Sequence, residues 1–175
     1  MTTALWIGLC SFTVSIVFAS FFEWALHRWL MHGVLFKGYP YRKHDQVHHV
    51  VFDSDAGYHL RDQEHRTIVT MAWWNAPVLM FVNLPLPGLI ALWLGSWSVV
   101  IGAMSALLAY YAMYEYFHWC MHVPSARWFQ NTRLFRGIDR HHRIHHLDPS
   151  KNLNVVLPIA DLVLRTRLRA ATQTS

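Results

Sequence analysis

The chain has 175 residues, of which 54% are hydrophobic and only 14% are charged. This length suits a single domain (1–175), and so apolar a composition is unusual for a soluble protein. The net charge of +5 would suit nucleic-acid binding, but its distribution favours a membrane protein instead. All fifteen Lys and Arg lie in 28–66 and 127–169, as expected when basic loops stay on the cytoplasmic side of a membrane.

The first predicted element is a membrane-spanning helix over residues 4–22, which are uncharged and almost wholly apolar. Nineteen helical residues rise roughly 28 Å, close to the thickness of a bilayer core. A cleaved signal peptide fits poorly, because no basic region precedes this segment and no small-residue cleavage site follows it. The segment continues directly into Glu23 and His27 instead.

A second apolar region covers residues 67–118, where Glu115 is the only charged residue. Fifty residues leave room for two crossings, and the cluster of Pro and Gly at 83–88 predicts the break between them. Gly95-Ser96 is the alternative break, and a fourth short or re-entrant piece near 85–97 is a further alternative.

The positions of the two basic segments constrain the number of membrane crossings. The polar, histidine-rich segments 28–66 and 119–175 are both basic, so we expect both on the cytoplasmic side with an even number of crossings between them. The sequence therefore predicts an all-α, integral membrane helical bundle of three to four spans, with a cytosolic helical cap that carries the histidines.

The thirteen histidines outnumber the ten acidic residues, and most of them fall in four clusters. These are His27 and His32; His44, His48 and His49; His118 and His122; and His142, His145 and His146. Because residues three or four apart share a helix face, the first two histidines of each of the last three clusters are predicted to point the same way. His27 and His32 are five apart, so we expect His32 to reach from a frayed final turn before Gly33.

These clusters predict a metal centre. Imidazole suits iron, zinc, copper and nickel, whereas calcium and magnesium prefer oxygen ligands. Isolated histidines are commonly surface or interfacial residues, but four clusters at span ends and in the adjoining polar segments favour metal binding. Ten imidazoles exceed what one ion coordinates, so two metals are expected. His59 and His65 are expected to lie outside the site.

Two carboxylates lie near the histidine-bearing span ends, Glu23 before His27 and Glu115 before His118. A carboxylate at the edge of an apolar helix needs a partner, and the outer N–H of a metal-bound imidazole is one. The alternative is that each side chain reaches the lipid headgroups.

Several motifs together resemble the fatty acid hydroxylase (sterol desaturase) superfamily. They are Glu23-Trp-Ala-Leu-His27-Arg28, the pairs His48-His49 and His145-His146, and His142-Arg-Ile-His-His followed by Asn154 to Asp161. Carotene hydroxylases share the Met31-His32-Gly33 pattern. The second histidine box departs from the family, with spacing HX3HH where HX2HH is usual. His44 is therefore the least certain ligand, and Asp45, His141 and Asn154 remain alternatives.

The resemblance implies an oxidoreductase with two non-haem irons, for which zinc is a substitute in a preparation, and O2 as co-substrate. It implies hydroxylation of a fatty acyl, sterol or carotenoid C–H bond in lipid biosynthesis, with the active site on the cytoplasmic side. Since no cytochrome b5-like domain is fused, a separate ferredoxin or cytochrome b5 type donor is expected.

Other functions remain open on the sequence. A lipid desaturase would use the same centre. A di-haem electron-transfer protein would need histidine pairs within facing spans, and a metal transporter would place ligands at mid-bilayer. Residues 4–22 and 67–110 contain no histidine, and the HExxH motif of zinc hydrolases is absent. The sequence does not indicate the oligomeric state.

Overall fold

The computed structural model describes residues 2–169, and across these it contains helices and no strands. Residues 170–175, the end of the predicted cytoplasmic tail, lie outside the described residues. The helices are α1 (Thr3–Leu26) with a π-helical turn (His27–Met31), α2 (Tyr39–Lys43) with a second π-helical turn (His44–His48), α3 (His49–Val51), a 3-10 turn (Gln63–His65), α4 (Arg66–Val69), α5 (Asn75–Asn83), α6 (Pro85–Leu94), α7 (Ser98–His122), a 3-10 turn (Trp128–Asn131), α8 (Arg133–Leu147) and α9 (Ile159–Val163).

The chain divides into two compact units. One contains the chain up to Ala19 together with Met71–Glu115, and the other contains Ser20–Thr70 together with the chain from Tyr116 onward. Neither unit is continuous in sequence, so they are not two successive domains. The single domain over 1–175 stays a prediction.

Three helical segments are long and apolar enough to cross a membrane: Thr3–Met31, Asn75–Leu94 and Ser98–His122. They confirm the predicted all-α class, and their number agrees with the predicted three to four spans. Each contains an 18-residue stretch whose mean hydropathy and length are sufficient for a bilayer core.

The predicted break at 83–88 is wrong. Pro85 and Pro87 lie in the first turn of α6, where the backbone N–H that proline lacks would have no helical partner. The N–H of Gly88 donates to the carbonyl of Leu84 at 3.0 Å, so the helical path continues. The chain turns at Gly95, whose φ of 61° is a left-handed conformation that glycine adopts without strain. The alternative break is therefore correct, and most of 85–97 belongs to the second span.

Small residues bring α1 and α7 together within the first unit. A Cβ atom on Gly102 would lie 2.3 Å from the carbonyl oxygen of Gly8, so no other residue fits there without movement. The hydroxyl of Ser11 donates to the carbonyl of Val99 at 2.7 Å. Close backbone approach through small residues is the usual way in which membrane helices associate.

Candidate metal centre

The second unit brings the ten clustered histidines together in two groups of five. In each group the potential ligand atoms all lie within 4.8 Å of one another. The first group, called here site A, is His27, His32, His44, His49 and His145; the second, site B, is His48, His118, His122, His142 and His146. His59, His65 and His141 belong to neither group.

Two π-helical turns build site A. The N–H of His32 donates to the carbonyl of His27 at 2.9 Å, a bond between residues five apart. That wider turn aligns positions i and i+5, and the two imidazole rings stack with centroids 5.0 Å apart. The second turn does the same for His44 and His49, whose Nε2 atoms lie 3.1 Å apart. The expectation that His32 reaches from a frayed α-helical end is therefore wrong.

The π-helical turns also change which histidines share a site. His118 and His122 lie together in site B as predicted. His44 and His48 point the same way, as predicted, but they lie in sites A and B respectively. Their rings stack at 5.2 Å, so the two sites are in direct contact. The unusual HX3HH spacing is thus what places His49 beside His44.

Helix α8 contributes to both sites. His142 and His146, four residues apart, lie in site B with their Nε2 atoms 3.1 Å apart. His145 lies in site A, where its Nε2 atom is 3.1 Å from that of His32. His142 and His145 point the same way, as predicted, but they belong to different sites. Their rings stack at 5.7 Å, as a second contact between the sites.

Backbone carbonyl groups fix the orientation of five of these ten imidazoles. Nδ1 atoms lie 2.5–3.1 Å from carbonyl oxygens in five pairs: His27 with Leu153, His118 with Val69, His122 with Tyr58, His145 with Lys151, and His146 with Phe52. A carbonyl can only accept, so each Nδ1 carries the proton and each Nε2 presents a lone pair. The carboxylate of Asp45 does the same for Nδ1 of His32, at 2.8 Å.

The close contacts between Nε2 atoms fit a bound cation. His32 and His145 both carry their proton on Nδ1, so no hydrogen lies between their Nε2 atoms 3.1 Å apart. Two lone pairs facing each other at this distance repel unless a positive ion lies beside them. Two nitrogens bonded to one ion at about 2.1 Å and at right angles lie about 3 Å apart.

Burial in site B supports the same conclusion. His122 and His142 are fully buried, and His48 is 2% exposed. Among residues 2–169, neither ring nitrogen of His48 has a hydrogen-bond partner, which is costly without an ion. Burial, followed by the neighbouring imidazoles, lowers the pKa of His48 and His142 well below the ordinary value. These imidazoles are therefore neutral, the form that binds metals.

Glu23 acts through the backbone segment that orients His27. Its carboxylate accepts hydrogen bonds from the backbone N–H of Val155 at 2.7 Å and from the side-chain amide of Asn154 at 2.9 Å. The preceding residue, Leu153, supplies the carbonyl to Nδ1 of His27. Glu23 therefore positions His27 through this backbone segment, whereas the sequence predicted a direct hydrogen bond from a metal-bound imidazole to Glu23.

Asp161 fixes the same segment from its other side. Its carboxylate accepts the N–H groups of Leu153 and Asn154 at 3.0 and 2.8 Å, and contacts Nε2 of His141 at 2.9 Å. His141 and Asn154 therefore have structural partners of their own. Burial opposes the charge of Asp161, but hydrogen bonds from His141 and Thr166 outweigh it, so the pKa of this carboxyl is lowered. The sequence pointed to this segment only through the family motif.

Glu115 has partners of a different kind. It accepts hydrogen bonds from the Tyr111 hydroxyl at 2.9 Å and from the N–H of Met71 at 3.2 Å. The carbonyl of Val69 faces Nδ1 of His118 at 3.1 Å.

Comparison with known families agrees with this geometry. The model of the family described as fatty acid hydroxylase matches residues 12–166, most of the chain and all ten clustered histidines. The chain belongs to the fatty acid hydroxylase family. Neither a curated protein nor a solved structure matches it significantly. Members of this family are generally lipid-acting oxidoreductases that depend on metal, so the two histidine groups of this chain are the candidate metal sites.

Proposed function

We propose that the chain is an O2-dependent lipid hydroxylase that holds one non-haem iron in site A and one in site B. The observation that carries the proposal is the convergence of ten imidazoles into two contacting groups of five. In six of the ten imidazoles, a carbonyl or carboxylate oxygen accepts a hydrogen bond from Nδ1. The Nε2 atoms of these rings, which would bind the metal, are therefore oriented in advance.

The ligand set supports iron over the alternatives. Five imidazoles in each group exceed the four ligands of a tetrahedral zinc site and leave one position free in an octahedral one. Imidazole ligands suit iron, and the groups lack the oxygen ligands that magnesium and calcium prefer. A haem needs imidazoles on opposite faces of a macrocycle, whereas five nitrogens converge here within 4.8 Å.

Bound iron would supply the activation of O2, and the protein supplies the environment for it. Burial excludes water and keeps the imidazoles neutral, while backbone carbonyl groups hold five of the rings at a fixed angle. Hydroxylation of a C–H bond by O2 consumes two electrons and two protons and releases one water. The fatty acyl, sterol or carotenoid substrate would come from the bilayer, and the electrons from a separate ferredoxin or cytochrome b5 type protein.

We also propose that the metal centre lies on the cytoplasmic side, because all fifteen Lys and Arg fall in its two sequence regions. Cysteines introduced at Ser54 and Ser150, with Cys10 and Cys120 replaced by alanine, should both react with a membrane-impermeant reagent from that side. Labelling of the two positions from opposite sides would contradict the even number of crossings between them.

The reaction is tested with labelled oxygen. Cells that produce the protein under 18O2 should contain lipids with one incorporated 18O atom, measured by mass spectrometry. Cells that produce the His145→Ala variant should lack them, whereas His65→Ala, outside both groups, should behave as wild type. A product two hydrogens lighter and without 18O would identify a desaturase instead. Lipids identical with and without the protein would refute both enzymatic activities.

A further inference from the structure

The first half of α8 presents three arginines on one face. Arg133, Arg136 and Arg140 are spaced three and four residues apart, which places them along one side of a helix. All three are exposed and line a shallow depression around Gly137. Because glycine has no side chain, the floor of this depression is backbone. A Cβ atom at Gly137 would meet no atom within 4 Å, so packing does not explain the glycine.

This arrangement is electrostatically unfavourable without an anion. The N-terminal end of a helix is its positive end, and like charges three or four residues apart repel. The first turn of α8 contains no acidic residue to offset them. Within the described part of the chain, the three arginines form no ion pair, whereas Arg143 on the same helix pairs with Asp55 at 2.7 Å. A negatively charged ligand would supply the missing compensation.

Packing places this end of α8 beside the end of the third candidate span. Phe129 and Phe135 both contact Phe117, with ring centroids 6.3 and 5.9 Å apart. Phe117 lies five residues before the end of the third candidate span, about 7.5 Å along the helix axis. Trp128 and Leu134, beside these packed rings in sequence, are 83% and 78% exposed. Exposed tryptophan and leucine next to arginine are typical of helices at the boundary between headgroups and acyl chains.

We propose that Trp128–Arg140 is an interfacial segment that binds the phosphate groups of anionic phospholipids through Arg133, Arg136 and Arg140. Guanidinium groups match phosphate oxygens with paired hydrogen bonds, and Trp128 and Leu134 enter the acyl boundary. The segment thereby anchors the helix that carries His142, His145 and His146. The proposal requires a membrane protein but does not depend on the reaction that the metal centre performs.

The test uses the full-length protein in phosphatidylcholine nanodiscs that contain a trace of spin-labelled lipid. Electron paramagnetic resonance measures the fraction of the probe immobilised by the protein, for phosphatidylglycerol and for phosphatidylcholine. Wild-type protein should prefer the anionic probe by at least about fivefold, the factor for roughly 1 kcal/mol, which is the contribution of one basic residue near an anionic lipid surface. The Arg133→Gln/Arg136→Gln/Arg140→Gln variant should show nearly equal immobilisation, and high salt should weaken the wild-type preference.

A matched variant removes the same charge elsewhere. Arg165, Arg167 and Arg169 are also exposed, and their replacement by glutamine should leave the lipid preference intact. An equal loss in this control would show a general effect of net charge and overturn the proposal. An unchanged preference in the α8 variant would also overturn it. The α8 variant could also keep the wild-type lipid preference but lose the salt-dependent reduction of its metal centre by an acidic electron-transfer protein. That result would show that the three arginines form a protein-docking surface and not a lipid site.

Discussion

Replacement of Glu23 by glutamine tests how the protein positions a metal ligand at a distance. The wild-type carboxylate accepts hydrogen bonds from the N–H of Val155 and from the amide of Asn154. Glutamine has the same shape, but only its carbonyl oxygen can accept a hydrogen bond. If that oxygen accepts the N–H of Val155, the glutamine NH2 group faces the NH2 group of Asn154, and two donors meet. Asn154 cannot reverse its amide to compensate, because its oxygen already accepts the N–H of Asp161 at 3.1 Å.

The size of the effect follows from these contacts. Loss of a hydrogen bond to a charged group costs about 1.5–3 kcal/mol, and the unpaired donor is buried. The released segment includes Leu153, whose carbonyl orients His27 in site A. Loss of a group that orients a ligand typically weakens metal binding ~10–100-fold. Site A should therefore weaken by this factor in Glu23→Gln, whereas site B should keep its affinity.

Chelator competition on purified protein measures this difference, with iron content and thermal unfolding followed together. One iron of two should leave at a 10–100-fold lower chelator concentration than in the wild type. Glu115→Gln is the control, because one glutamine oxygen can accept from both Tyr111 and Met71. Unchanged release from Glu23→Gln would refute the role of the segment. Equal loss from Glu115→Gln would show that Glu115 supports a ligand, as the sequence alone predicted.

Three further changes have defined outcomes. His122→Ala removes a ligand of site B, so iron should fall from two per chain towards one and turnover should cease; full iron content would exclude His122 as a ligand. Asp45→Ala removes the acceptor from Nδ1 of His32, so iron affinity at site A should fall about tenfold. An unchanged chelator titration would contradict this. Burial lowers the pKa of His146 to about 3 from 6.5, so below pH 6.5 protons bind the unfolded chain preferentially. The unfolding temperature of the metal-free protein should therefore fall as pH drops below 6.5, and a flat profile would contradict this.

The sequence identified the ten histidines but not their division between two sites. Their number and clustering are visible in the residue pattern, and so is the association with span ends. The division depends on two π-helical turns, in which His27 pairs with His32 and His44 with His49. Residues five apart do not align on an α-helix, so reasoning from α-helical periodicity did not pair His44 with His49.

The groups that orient the imidazoles were also hidden from sequence reasoning. Carboxylates such as Glu23 are conspicuous beside histidines, whereas a backbone carbonyl such as that of Leu153 or Tyr58 has no sequence signature. The predicted position of the break between the second and third spans was wrong for a related reason. Pro85 and Pro87 are compatible with the first turn of a helix, so they did not mark the end of a span as Gly95 does.

The most direct test of the account is the iron content and Mössbauer spectrum of the purified full-length protein loaded with 57Fe. The account predicts two non-haem irons per chain, both in environments dominated by nitrogen ligands, and no haem absorption band. One iron per chain, a haem spectrum, or stable binding of zinc with exclusion of iron would contradict the assignment of sites A and B as a di-iron centre.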